Sequence, residues 1–147
     1  MAYNLSASGI RIELIAVPTL PYGVTITEFT DDADPLSAAQ LSLGDFTMGI
    51  NGDLILNRKP NGIRIDINVI PDSDSDRALE SLLDANRVAK NKVSYQDVIT
   101  MTVVYPSGIT KVLNNGAILE GAPLTGVSSQ GRLKTKTYSF VFEGKAV

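Results

Sequence analysis

Apolar and polar residues alternate with a period of two through most of the chain. Ile10, Ile12 and Leu14 alternate with Arg11 and Glu13, and after a proline-bearing break over residues 17–22 a second run opens at Val24 and Ile26. This is the pattern of strands with one face turned inward. The clearest alternation spans residues 46–70. Phe46, Met48, Ile50, Leu54 and Leu56 share one face, with Thr47, Asn51, Asp53 and Asn57 on the other; Ile63, Ile65, Ile67 and Val69 then oppose Arg64, Asp66 and Asn68. With "RKPNG" as a compact turn between the two halves, the pattern predicts a long hairpin at about 46–70 with one polar and one apolar face. Gly49 and Gly52 mark a bulge or close backbone contact, or plain flexibility.

The period changes once. In "VIPDSDSDRALESLLDANRV", Ala78, Leu79, Leu82 and Leu83 recur at helical spacing, predicting one helix at about 74–87. Three alternating aspartates precede it, an arrangement that invites comparison with a calcium loop. Counted from Asp72, the sixth position is Arg77 where such a loop needs glycine, and the twelfth is Leu83 where it needs a bidentate glutamate. Helix initiation accounts for the acids better: Asp74 or Ser73 caps, and Ser73 with Asp76 approximates a capping box. Arg87, Lys90 and Lys92 gather at or beyond the other end, where cations are favoured.

Strand patterning then resumes. Ile99, Met101, Val103 and Tyr105 alternate with threonines, "YPSGIT" turns into a strand through Leu113, and "NNGAILEG" reads as a further turn and strand. Residues 121–131 are small and flexible in composition, either a loop that orders on a partner or simply a long connection. In the last strand Lys134, Lys136, Tyr138, Phe140 and Phe142 share one face, which passes from basic to aromatic midway. A strand that continues across a neighbouring subunit would show this change, as would a bulge near Thr137 or a strand end protruding into water. These elements imply a mainly β chain, an antiparallel sandwich or barrel with one flanking helix, whose open edges need cover.

Composition narrows the chemistry. The 147 residues suit one domain, residues 1–147, with a flexible N-terminal segment of about residues 1–8; 44% are hydrophobic and 20% charged, ordinary globular usage. No run is long and apolar enough for a membrane anchor or signal peptide. Histidine and cysteine are both absent, which removes the commonest general base, thiol nucleophiles and the commonest zinc ligands. No motif organises serine, lysine or phosphate chemistry in their place, so the chain reads as a non-enzyme requiring no cofactor. The acidic run Asp31, Asp32 and Asp34 reads as a solvated turn. With 13 Lys and Arg against 16 Asp and Glu, a net charge of -3, no basic face for gripping nucleic acid is expected.

The segment "LGDFTMGINGDLILNRKPNGIRIDINVIPDSDSDRALESLLDANR", with the closing "GRLKTKTYSFVFE", resembles tail tube proteins of long-tailed, contractile bacteriophages over about residues 8–143. The resemblance implies a β-barrel or sandwich subunit with a flanking helix, related in fold to the type VI secretion tube protein. It also implies hexameric rings stacked into a virion tail tube, with a sheath outside and tape-measure protein, then ejected DNA, inside. On that reading Asn51, Asp53, Asn57, Arg64, Asp66 and Asn68 line the lumen as a wall that does not bind phosphate, with Arg64 pairing with Asp53. Asp31, Asp32, Asp34, Arg132, Lys134 and Lys136 make charge contacts between subunits. Other tail roles on the same fold, a terminator or a baseplate protein, stand beside it, as does a soluble sandwich that binds carbohydrate or peptide. The absence of tryptophan weighs against the last.

Overall fold

The computed structural model describes residues 5–94 and 96–145. Among the described residues nine strands and one helix follow in the order β1 (Arg11–Val17), β2 (Leu20–Ile26), β3 (Leu36–Ala38), β4 (Gly44–Met48), β5 (Leu54–Arg58), β6 (Ile63–Val69), α1 (Asp74–Asn86), β7 (Val98–Val104), β8 (Thr110–Gly121) and β9 (Lys136–Lys145). Seven of them form one antiparallel sheet in the order β2-β1-β7-β8-β9-β6-β3, and β4 and β5 pair separately.

Alternation sets the inner face. Ile12, Leu14 and Ala16 of β1, Ile65, Ile67 and Val69 of β6, Ile99, Met101 and Val103 of β7, and Tyr138, Phe140 and Phe142 of β9 are buried together, joined by Leu79 and Leu82 of the helix. At roughly 1.5–3 kcal/mol for each large apolar side chain withdrawn from water, this cluster is the main favourable term holding the fold. The sheet curls without closing. A single bridge, Phe29 to Val69, ties the segment after β2 to β6, but β2 and β3 remain edges. The mainly β class with one flanking helix is as expected, and the barrel alternative gives way to an open, curved sheet.

The expected hairpin over 46–70 is two structures. β5 pairs only with β4, in the register Phe46↔Leu56 and Met48↔Leu54, whereas β6 pairs with β9 and β3. "RKPNG" therefore links two sheets instead of turning a hairpin. Gly62 does not use positive φ; a Cβ there would lie 2.7 Å from Val141 Cγ2, so its role is close packing. Similarly, "NNG" is no turn. β8 runs through it, with Asn115 in the left-handed region (φ 51°) at a break in the β7–β8 register. A Cβ on Gly116 would fall 2.3 Å from Phe142 Cδ1, which explains the glycine: the aromatic ring occupies that space.

Helix α1 starts as predicted. Ser73 caps it, its Oγ accepting from Asp76 N at 3.2 Å, and Asp76 Oδ2 accepts from Asp72 N at 2.8 Å. The reciprocal bond thus reaches one residue beyond the cap, where Asp72 takes positive φ. At the other end Asn86 and Asp97 bond twice: Asn86 Nδ2 donates to Asp97 Oδ2 at 2.6 Å and Asp97 N donates to Asn86 Oδ1 at 2.9 Å. Asp97, buried, also accepts from Thr19 N and Thr19 Oγ1, so one carboxylate joins the helix end, the entry to β7 and the β1–β2 turn.

Candidate functional site

Three surfaces contain the residues singled out by the sequence. The first is the outer face of β6, where Arg64, Asp66 and Asn68 stand in a row as expected from alternation. Arg64 pairs with Glu120 of β8 (3.2 Å) and approaches Asp66 (3.7 Å), so the expected partner Asp53 is replaced by a neighbour in the sheet. Asp66 accepts from Ser139 Oγ. Asn68 accepts from Thr137 Oγ1 and donates Nδ2 to Asp34 O. Each of these polar side chains is therefore engaged along the surface, Asp66 and Asn68 by the neighbouring β9 and Arg64 by β8 beyond it, leaving a hydrophilic face whose groups bond to one another.

The second is the β4–β5 hairpin, which carries Asn51, Asp53 and Asn57. These three are exposed but belong to a different sheet from Arg64, Asp66 and Asn68, so the expected lining divides into two groups. The opposite face carries the surprise. Phe46 is 68% exposed, Met48 and Leu54 59%, and Ile50 at the tip fully exposed. The periodicity correctly put these side chains on one face, but no core covers it. The tip is a tight turn, Gly49 N donating to Asp53 O (2.7 Å) and Gly52 N to Gly49 O (2.9 Å), with Gly52 at φ 90°. A two-stranded hairpin is marginally stable alone in water, and an uncovered apolar face of this kind marks a contact surface.

The third surface is the charged region expected between subunits. Arg132 Nη2 lies 2.6 Å from Asp31 Oδ1 and 4.0 Å from Asp32 Oδ2, so these groups are already paired within one protomer. The Arg132 hydrogen bond holds the Asp31 carboxyl below its ordinary range; hydrogen bonds from Thr135 and Thr30 do the same for Asp32. Asp34 and Lys134 remain exposed.

Lys136 is not available for the contact between subunits expected of it. It is 1% exposed, beneath the helix, with Nζ 3.5 Å from Asp76 Oδ1 and 3.7 Å from Glu80 Oε2 and 5.7 Å from the centre of the Tyr138 ring. These separations exceed hydrogen-bond length, and Nζ has no hydrogen-bond partner; charge attraction holds the ammonium there. Tyr138 Oη donates to the same Asp76 oxygen at 2.7 Å. Burial, then the adjacent carboxylate, raises the Tyr138 pKa far above the ordinary phenol range. The basic-to-aromatic strand therefore faces its own interior from Lys136 onward and does not cross a neighbour on that face. Of the three aspartates that open the helix, Asp76 is consumed by Asp72 N, Tyr138 and Lys136. Among the described residues no group of three or more His, Cys, Asp or Glu is placed to hold a metal ion, and no helix is long and apolar enough to cross a membrane.

Two surfaces that the alternation did not announce complete the picture. One is an apolar groove of about 560 Å³ lined by Leu5, Ile10, Tyr105, Pro106, Ile109 and Lys111, among others; part of the expected flexible segment 1–8 forms its wall, while residues 1–4 lie outside the described residues. The other is a more open depression between Gly62, Val98 at the start of β7, Ala117 within β8 and Val141 within β9.

A family model described as "Tail fiber protein gp32" matches residues 3–146. No curated protein matches in sequence. Among solved structures, the fold is similar to a chain of the "Cryo-EM structure of the anti-feeding prophage (AFP) baseplate, 6-fold symmetrised". The TM-score is 0.52 at 8% identity, over 99% of this chain and 95% of that one. At that identity the likeness is one of fold.

Proposed function

Because the chain belongs to the tail fiber protein gp32 family of bacteriophage tail proteins, we propose that it is a structural subunit of the virion tail that assembles with copies of itself into hexameric rings, stacked as a tail tube. Neither comparison names a tube protein. The observation that carries this reading is the outer face of the main sheet, where Asp66 and Asn68 are satisfied by the adjacent β9 and Arg64 by Glu120 of β8, one strand further on. A channel wall needs to be hydrophilic without gripping what moves along it. A surface whose hydrogen-bonding groups are already engaged, on a chain of net charge -3, offers a phosphate backbone little to bind.

In this reading the β6 face looks into the lumen, through which tape-measure protein and then DNA pass, and a sheath packs outside. The role is mechanical rather than catalytic. The hairpin residues Asn51, Asp53 and Asn57 move from the lumen wall to a contact between subunits, since they sit on the projecting sheet. Asp31, Asp32 and Arg132 shape the loop that presents Asp34 and Lys134 to a neighbour.

A ring of the baseplate is the second reading, favoured by the whole-chain likeness to a baseplate chain in a six-fold symmetrised structure. Negative-stain electron microscopy, with analytical ultracentrifugation across protein concentration, separates the two. Hollow filaments support the tube; rings that do not extend support the baseplate; a protein that stays monomeric at all concentrations counts against both.

A further inference from the structure

The hairpin tip and the groove beside the β7–β8 turn are exposed apolar surfaces of opposite shape on one chain. The tip is convex, with Ile50 wholly in solvent and Met48 and Leu54 behind it. The groove is concave, about 560 Å³, with Leu5, Ile10, Tyr105 and Ile109 in its wall. Their charges also match. Lys111 is the charged residue of the groove lining, and Asp53 is the acid beside the tip. Among the described residues neither takes part in an ion pair.

We infer that the β4–β5 hairpin of one copy inserts its tip into the Tyr105–Ile109 groove of a second copy, with Asp53 meeting Lys111 at the rim. The inference rests on the self-assembly reading above and deepens it by naming which surfaces meet. Because tip and groove are different patches, the contact is head-to-tail: each copy that offers a hairpin leaves its own groove open for the next, and the contact propagates until a ring closes or a stack grows. Insertion removes the apolar face from water, and it braces a hairpin that would be marginal alone. The charge pair at the rim sets the register more than the strength of the contact.

The native chain contains no cysteine, so engineered thiols report without background. Ile50→Cys and Ser107→Cys, at the tip and in the groove wall, are made in separate full-length chains, checked for unchanged circular dichroism, mixed and oxidised. The expected result is a disulfide-linked heterodimer from the mixture, in large excess over homodimer from either variant. Asp53→Lys or Lys111→Asp alone should lower its yield several-fold, and the two together should restore it. Rings or filaments that form without the cross-link would overturn the inference while leaving the assembly reading intact, and would assign the hairpin to another tail protein. A cross-linked pair that never forms rings would support the docking and overturn the ring. A monomer that does not cross-link would overturn both.

Discussion

Tyr138 of β9 and Asp76 of helix α1, 62 residues apart in sequence, share a buried hydrogen bond of 2.7 Å, and Lys136 Nζ lies 3.5 Å from the same carboxylate oxygen. One acid thus receives the helix N-terminal region through Asp72 N and strand β9 through a phenol and an ammonium. Removing any donor leaves a buried charge partly uncompensated.

Lys136→Met should cost on the order of 3 kcal/mol, the lower end for breaking a buried ion pair, since Asp76 retains two hydrogen bonds. Tyr138→Phe should cost about 1–3 kcal/mol through the lost donor. Denaturant unfolding of the purified protein measures both. Ion pairs on the helix surface, such as Arg77 with Asp74 at 3.1 Å, should contribute only about 0–1 kcal/mol each.

Lys134→Glu should leave the monomer folded and weaken assembly, because Lys134 is exposed. Lys136→Glu should instead unfold the monomer, since it places a third carboxylate beside Asp76 and Glu80. Sedimentation of the two variants alongside thermal melts distinguishes an assembly defect from a folding defect.

A lumen-facing β6 makes a simple accessibility prediction. Asp66→Cys should react with a bulky maleimide in the free subunit and be protected in assembled tubes. Equal labelling in both states would place β6 elsewhere in the assembly.

Gly116→Ala should destabilise the protein by about 1–3 kcal/mol, the usual penalty for overpacking, because Phe142 Cδ1 stands 2.3 Å from the new methyl position. Gly108→Ala is the contrasting variant. There the strain arises from φ of 91° with nothing within 4 Å, so no neighbouring side chain moves. Comparing Phe142 ring chemical shifts in the two variants checks the distinction.

Hydrogen bonds from Thr135 and Thr30 lower the pKa of Asp32 from its ordinary 3.8. The folded state binds this proton less readily than the unfolded chain, so the stabilisation is present above pH 3.8 and is lost as acid titrates through the depressed value. Asp32→Asn should flatten that part of the pH–stability curve. Carboxyl NMR titration of the wild-type protein gives the direction of the shift directly.

Much of this architecture is written locally. Helix α1 begins at Ser73 and Asp74 as the capping pattern indicates and ends within a residue of the expected position, because caps and periodicity act over a few residues. Strand faces are equally legible: Ile65, Ile67 and Val69 are buried while Arg64 is not. Pairing partners are not. Alternation says which side of a strand is apolar and nothing about which strand lies beside it, so the pattern suggests β5 as the partner of β6 where the fold uses β9. Lys136 was similarly opaque, since its burial depends on Asp76, 60 positions away in the chain. An apolar face turned to another molecule has the same periodicity as one turned to a core, which is why Phe46, Met48 and Leu54 read as interior.

The double hydrogen bond between Asn86 and Asp97 clasps the two ends of the connection between α1 and β7. The two ends of that connection are fixed directly to each other, so the helix end stays tied to the entry of β7 without relying on the path between them. A protease cut after Lys90 would leave both fragments in place, and an epitope or fluorophore grafted near Val88 would ride on the outside of the folded subunit as a passenger.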